Sequence, residues 1–307
     1  MNSGPPHPRD ILLVVLVPLF FSTNLVIGRA IADDVGPWTL AFLRWSGASL
    51  ILLPFAARSL LAERRALLGQ SPSIALLGFL GMWLCGGLVY LALHYTTATN
   101  ATLIYTSSNV MILLLEWGFR GRPIRPRELI GTALAFGGVA VVALGAAPDS
   151  GLALNPGDLL IALAALSWAI YSVVLRRPGL AALPGLPLFA AIVLTGAMSL
   201  LPMMLWETWA GTRMPDSPIG WLAVGALALI PSVGAFSGYQ YGVRRFGPGA
   251  MAMVSYLATP YGVLLAVVFL GEDLRLHHAL GLALILPGIV LATAQQMPRW
   301  RNEETTA

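Results

Sequence analysis

Charge is scarce in this sequence. Only 10% of the 307 residues are charged, against about 25% in a typical soluble domain. So little charge cannot cover a water-facing surface, which argues against a soluble globular fold. Lysine is absent: all 18 basic residues are arginine, which we read as a composition bias of the source genome. Cysteine is limited to Cys85, inside an apolar run. That excludes an intramolecular disulfide and suggests a small packing residue. The sequence also lacks a His-Glu-x-x-His motif, a phosphate-binding P-loop and a Cys/His cluster with metal spacing. No carboxylate pair falls within an apolar run. His277 and His278 are neighbours that point in different directions on a helix and make a poor metal site. The expectation is therefore no enzyme, no metal and no cofactor. The net charge of +4 is read as arginine in loops on one side of a membrane, so no nucleic-acid partner is expected.

What is present is apolar sequence: 57% of residues are hydrophobic, in runs punctuated by Pro and Gly. A helix crossing a bilayer needs roughly 20 mostly apolar residues. Hydropathy and punctuation predict spans at 11–31, 38–61, 73–94, 99–119, 127–147, 158–176, 185–207, 219–243, 248–270 and 276–296. The first follows a single Arg9, and no convincing small-x-small cleavage site closes it. It is expected to be an uncleaved helix.

Arginine placement agrees with that map. With the N-terminus in the cytoplasm, the inner segments hold 14 arginines: Arg9, Arg58, Arg64, Arg65, Arg120, Arg122, Arg125, Arg127, Arg176, Arg177, Arg244, Arg245, Arg299 and Arg301. The outer segments hold three, Arg29, Arg213 and Arg275, while Arg44 falls inside the second span. Such a bias is the positive-inside pattern and supports cytoplasmic termini.

The chain also repeats itself. Residues 121–140 align without gaps on 271–290, with Gly121, Arg125, Gly131, Ala133, Leu134 and Gly138 matching Gly271, Arg275, Gly281, Ala283, Leu284 and Gly288. Near the start of each half, Phe21-x-x-Asn24-x4-Arg29 aligns with Trp168-x-x-Tyr171-x4-Arg176. Five spans per half is an odd number, so the second half must sit inverted. Inverted repeats are a transporter architecture, with the solute site near the midplane between them.

Several stretches resemble a known family. They are FSTNLVIGR in the first span, PWTLAFLRW entering the second, LSWAIYSVVLRR in the sixth, and ATPYGVLLAVVFLGEDLRLHHALGLALILPGIVL across the last two. The chain resembles the EamA-type drug/metabolite transporters over nearly its whole length, and within them it is most similar to the YddG-type amino-acid exporters. The resemblance implies an all-α integral membrane protein of ten transmembrane helices, with one five-helix repeat over 1–150 and its inverted partner over 151–307. It implies export of aromatic and other neutral amino acids from a bacterial inner membrane by alternating access. The family often has Pro in its fourth helix where this chain has Val110, which predicts an unkinked helix there. The Glu that commonly follows the ninth helix is Glu272, but its counterpart in the first half is Arg122.

Polar groups inside lipid are costly, which makes them the first candidates for a site. The fourth span carries a stripe of Thr102, Tyr105 and Asn109, with Ser108 beside it. The third places Trp83, Gly86, Gly87, Tyr90 and His94 on a related face. Asn24 lies in the first span and Trp168 and Tyr171 in the sixth. The eighth offers Ser232, Phe236, Tyr239 and Gln240, and the ninth Ser255, Tyr256 and Thr259 before Pro260. The expected substrate-binding set is Asn24, Trp83, Tyr90, Tyr105, Asn109, Trp168, Tyr171, Tyr239 and Tyr256. Rings with a few amides and hydroxyls suit an amino acid, because ring faces take apolar side chains and attract an ammonium. Trp38, Trp45, Trp206, Trp209, Trp221 and Trp300 lie near span ends and are expected to form interfacial belts. Arg44 could attract a substrate carboxylate or snorkel to the surface, and Glu116 could pair with Arg120 one helical turn on.

Two rival classes are open on this evidence. A carrier of another solute, such as a nucleotide sugar or a drug-like compound, would for a phosphorylated cargo need more cavity cations than Arg44. A membrane enzyme would need catalytic groups at one interface, and the sequence shows none, whereas a non-transporting partner protein would not need a polar-striped, aromatic interior. The expected partners are a small-molecule substrate and the lipid bilayer. A functional monomer is expected, because one chain carries both halves.

Overall fold

The structure is a computed structural model that describes residues 8–120, 125–145, 155–212, 214–246, 251, 254–255 and 257–293. Among these the chain is entirely helical. Its long segments are α1 (Pro8–Ala30), α2 (Pro37–Ala62), α3 (Ser71–Gly78, continuing through Phe79–Gly87 to Leu88–Ala92) and α4 (Ala98–Thr106 and Ser108–Arg120). They continue with α5 (Pro126–Gly145), α6 (Pro156–Leu175), α7 (Gly185–Trp209) and α8 (Pro218–Leu227, Ala228–Gly234 and Ala235–Phe246). The last two are α9 (Ala258–Leu270) and α10 (Leu276–Thr293), and two short helices, Arg64–Gly69 and Pro178–Ala181, lie in connections. Among the described residues, seven helices are long and apolar enough to cross a membrane, and Ala258–Leu270 and Leu276–Leu291 are shorter apolar helices.

The helix starts follow local chemistry. Pro occupies the first turn of α2, α6 and α8, where its missing N–H costs nothing. Thr97, Asn155 and Ser217 cap α4, α6 and α8 with side-chain oxygens. Glu207, at the end of α7, caps α2 from another helix: its carboxylate accepts the Trp38 and Thr39 amides at 3.1 and 2.7 Å and the Thr39 hydroxyl at 2.8 Å. A buried carboxylate is tolerated there because three donors and the positive helix end compensate its desolvation. Glu272 does the same for α4, accepting from Ala98 and Thr99 at 2.7 and 2.9 Å.

Two segments are wound as π-helix, Phe79–Gly87 in α3 and Ala228–Gly234 in α8. Each contains residues that loosen a helix, Gly86 and Gly87 in one and Pro231 and Gly234 in the other. α4 departs from its expectation. The lack of Pro at Val110 predicted an unkinked helix, yet α4 breaks at Ser107. The hydroxyls of Thr102, Thr106 and Ser107 bond back to the carbonyls of Ala98, Thr102 and Ile104 at 2.7–2.8 Å. Such back-bonding bends helices without proline.

Packing is paired. α2 lies along α7 and α5 along α10; α1 packs on α8 and α9, and α6 on α3 and α4. The connecting segments meet in two groups. At one end Thr96 donates to Asp158, Asn155 to the Tyr95 carbonyl, and Glu272 and Glu207 make their caps. At the other end Arg176 pairs with Glu116, Tyr241 bonds Asp10, and Gly179 faces Gln70. The surface carries large apolar side chains, including Leu50, Phe55, Phe119 and Leu222, as suits a chain whose solvent is lipid.

Candidate functional site

Arg44 sits on α2 and is only 5% exposed, so it does not snorkel to the surface. Its Nε donates to Ser232 Oγ on α8 at 2.8 Å, and its Nη1 donates to Asn24 Oδ1 on α1 at 2.7 Å and to Tyr90 Oη on α3 at 3.1 Å. Tyr90 in turn donates to Asn24 Oδ1 at 2.8 Å. Ser232 donates to the Leu227 carbonyl at 2.9 Å, within the π-wound segment that holds Pro231. One guanidinium thus joins four helices through neutral groups. Its carbon also lies 4.4 Å from the Trp45 ring centroid, a cation–π contact.

An aromatic cluster begins at that ring. Phe236 of α8 lies edge-on to Trp45, Trp168 and Phe21, with centroids 6.4, 6.4 and 5.3 Å away, and stacks on Phe189 at 4.5 Å. Trp168 stacks on Tyr171 at 5.0 Å. Polar network and rings therefore adjoin through Trp45, whose indole Nε1 is buried without a partner. α1, α2, α6, α7 and α8 all contribute.

The nine sequence-predicted residues fall into separate groups. Asn24 and Tyr90 meet at Arg44, and Trp168 and Tyr171 join the rings around Phe236. Trp83 lies with Trp38 and Phe79. Tyr105 faces Cys85, its hydroxyl 3.0 Å from the sulfur. Asn109 donates to the Thr106 carbonyl at 3.3 Å on its own helix. Tyr239 packs on Val14, Val17 and Met251. Tyr256 lies outside the described residues, as does Trp300. Of the tryptophans expected in interfacial belts, Trp206, Trp209 and Trp221 are exposed, but Trp38 and Trp45 are buried. The correction has a steric cause: Gly87 and Gly86 of α3 leave the room those two indoles fill. Glu116 pairs with Arg176 of α6, at 2.5 Å, and the side chain of Arg120 lies outside the described residues. Phe189 gave no signal in the sequence beyond its apolar run. Arg44 did, as a charge inside a span.

A second polar region opens among the connections at the end where Glu272 caps α4. This cavity of about 390 Å³ is lined by Arg29, His94, Asn100, Asp273, Arg275 and His278, among others, and by none of the nine expected site residues. His278 Nδ1 accepts the Arg275 amide at 3.1 Å, which leaves Nε2 to donate to Asn100 Oδ1 at 2.9 Å. Among the described residues no group of His, Cys, Asp and Glu could hold a metal ion.

Comparison with known proteins adds a family. The model of the EamA-like transporter family matches this chain twice, over 9–144 and 155–294. The chain is 29% identical to the uncharacterized inner membrane transporter YedA of Escherichia coli K12, over 92% of this chain and 89% of that one. It is 26% identical to a probable terminal-alkyne amino-acid exporter of Streptantibioticus cattleyicolor, over 97% of both. It is 30% identical to the aromatic amino acid exporter YddG of Ancylobacter novellus, over 66% of this chain and 69% of that one.

Proposed function

Since the chain belongs to the EamA-like transporter family, we propose that it exports neutral amino acids, aromatic ones included, across a bacterial inner membrane by alternating access. In this reading ten helices cross the bilayer as two inverted repeats, divided near residue 150, with both termini in the cytoplasm. The two family matches support that division. So does the packing: moving five helices along the chain turns α1 on α9 into α6 on α4, and α1 on α8 into α6 on α3. The π segments of α3 and α8 correspond in the same way.

The observation that carries the solute assignment is the junction of Arg44 with the rings around Phe236, built from helices of both halves. It offers a cation, neutral hydrogen-bonding groups and ring faces, which together match a zwitterion with an apolar side chain. Two of the similar proteins are named as amino-acid exporters. In the test, purified protein in liposomes takes up labelled phenylalanine, threonine and methionine, with and without a pH gradient. Saturable uptake is expected, reduced about tenfold or more in Trp168→Ala, which removes a ring stacked on Tyr171 and edge-on to Phe236. Folded protein that moves none of these amino acids would refute the solute assignment.

A further inference from the structure

Among the described residues, Arg44 is a buried cation with no anion. A guanidinium has five N–H donors. Here the Nε hydrogen goes to Ser232, and the two Nη1 hydrogens go to Asn24 and Tyr90. Among the described residues nothing accepts from Nη2, and this nitrogen is not sealed off as Trp45 Nε1 is. No carboxylate of the described residues pairs with Arg44. Every partner it has is neutral. An uncompensated charge out of water is costly, and such groups are normally paired. The three neutral partners hold the guanidinium plane in place, leaving one nitrogen with two donors directed away from them. The guanidinium carbon lies 4.4 Å from the Trp45 ring centroid, and Phe236 is edge-on to that ring.

We propose that Arg44 Nη2 receives the carboxylate of the transported solute, and that a carboxylate is what this protein requires of its cargo. Asn24, Tyr90 and Ser232 are positioning residues that keep Nη2 free. The inference builds on the central site of the proposed exporter and names the group recognised there. A carboxylate matches the single free nitrogen. A phosphate would call for a second cation, and among the described residues none reaches this network. The ammonium of an amino acid is secondary here, because among the described residues no carboxylate joins this network.

The test uses binding, separate from transport. Thermal unfolding of the purified full chain is followed with phenylalanine, with 3-phenylpropionate (carboxylate but no ammonium) and with phenylalaninamide (ammonium but no carboxylate). The first two are expected to raise the Tm by about 3–6 °C at saturation, and the amide to leave it unchanged. Arg44→Gln should lose the response. Because Arg44 ties four helices together, that variant could fail to fold, and Asn24→Asp is the stronger probe. It places a carboxylate of the same shape 2.7 Å from Nη1, so the cation gains an internal anion. Its Tm without ligand should equal or exceed that of the parent, and its response to both carboxylates should vanish. A parent-like response in Asn24→Asp, an amide as effective as the acids, or no response to either acid would each overturn the proposal. Response to the acids without amino-acid uptake in liposomes would uphold it and sink the exporter reading. Equal uptake of phenylalanine and its amide would do the reverse.

Discussion

Ser232 has neither charge nor ring, yet it joins two of the least common features of this chain. Its hydroxyl donates to the Leu227 carbonyl in the π segment that holds Pro231, and its oxygen accepts from Arg44. Ser232→Ala would leave the buried Nε–H of Arg44 without its acceptor. Its expected cost is about 1–3 kcal/mol, read as a lower Tm in detergent by fluorescence-detected gel filtration. No change would mean that another group reaches Arg44. The sequence names Ser232 and Arg44 separately, one as a helix-8 hydroxyl and the other as a charge in a span. It does not join them, because they are 188 positions apart. Trp45 makes the same point in reverse: proximity to a span end suggested the lipid interface, whereas glycine on α3 opens a pocket for it inside the bundle.

Among the elements, α5 and α10 carry the clearest sequence repeat of the chain. Gly131 and Gly138 align with Gly281 and Gly288, and these glycines face each other across one interface. A Cβ at Gly138 would come within 2.8 Å of the Gly281 carbonyl oxygen, and one at Gly288 within 2.6 Å of the Ala135 nitrogen. Small residues let backbones approach this closely, as in membrane helix pairs generally. Gly137, one residue earlier and turned about 100° around the helix, has open space where its Cβ would lie. Gly138→Leu should therefore destabilise the protein strongly, lowering the Tm by about 10 °C or preventing recovery of folded protein, while Gly137→Leu should be tolerated. Equal behaviour of the two would contradict this packing. Helix α4 shows where pattern reading falls short: the absence of proline argued for a straight helix, but a run of hydroxyl residues supplied a different way to break it.

For the molecule as a whole, the contacts between connections sort into two ends that coincide with the two sides assigned from arginine placement. Which end is cytoplasmic can be tested with single cysteines in a Cys85→Ala background. Thr212→Cys should react with a membrane-impermeant maleimide on intact spheroplasts. Arg64→Cys should react only after lysis. The opposite result would invert the proposed orientation.

Sequence alone determined the class of solvent and the extent of most helices. Lipid imposes an apolar composition and a minimum helix length on any chain, and both are local properties that can be read along a line. Tertiary structure decided which polar residues meet. Asn24 and Tyr90 converge on Arg44, whereas Trp83, Tyr105 and Tyr239 lie in other clusters. A helix turns about 100° per residue, so small changes in winding reorient whole faces. The π segments of α3 and α8 and the break in α4 change that winding, and together with packing between distant helices they set where each side chain points.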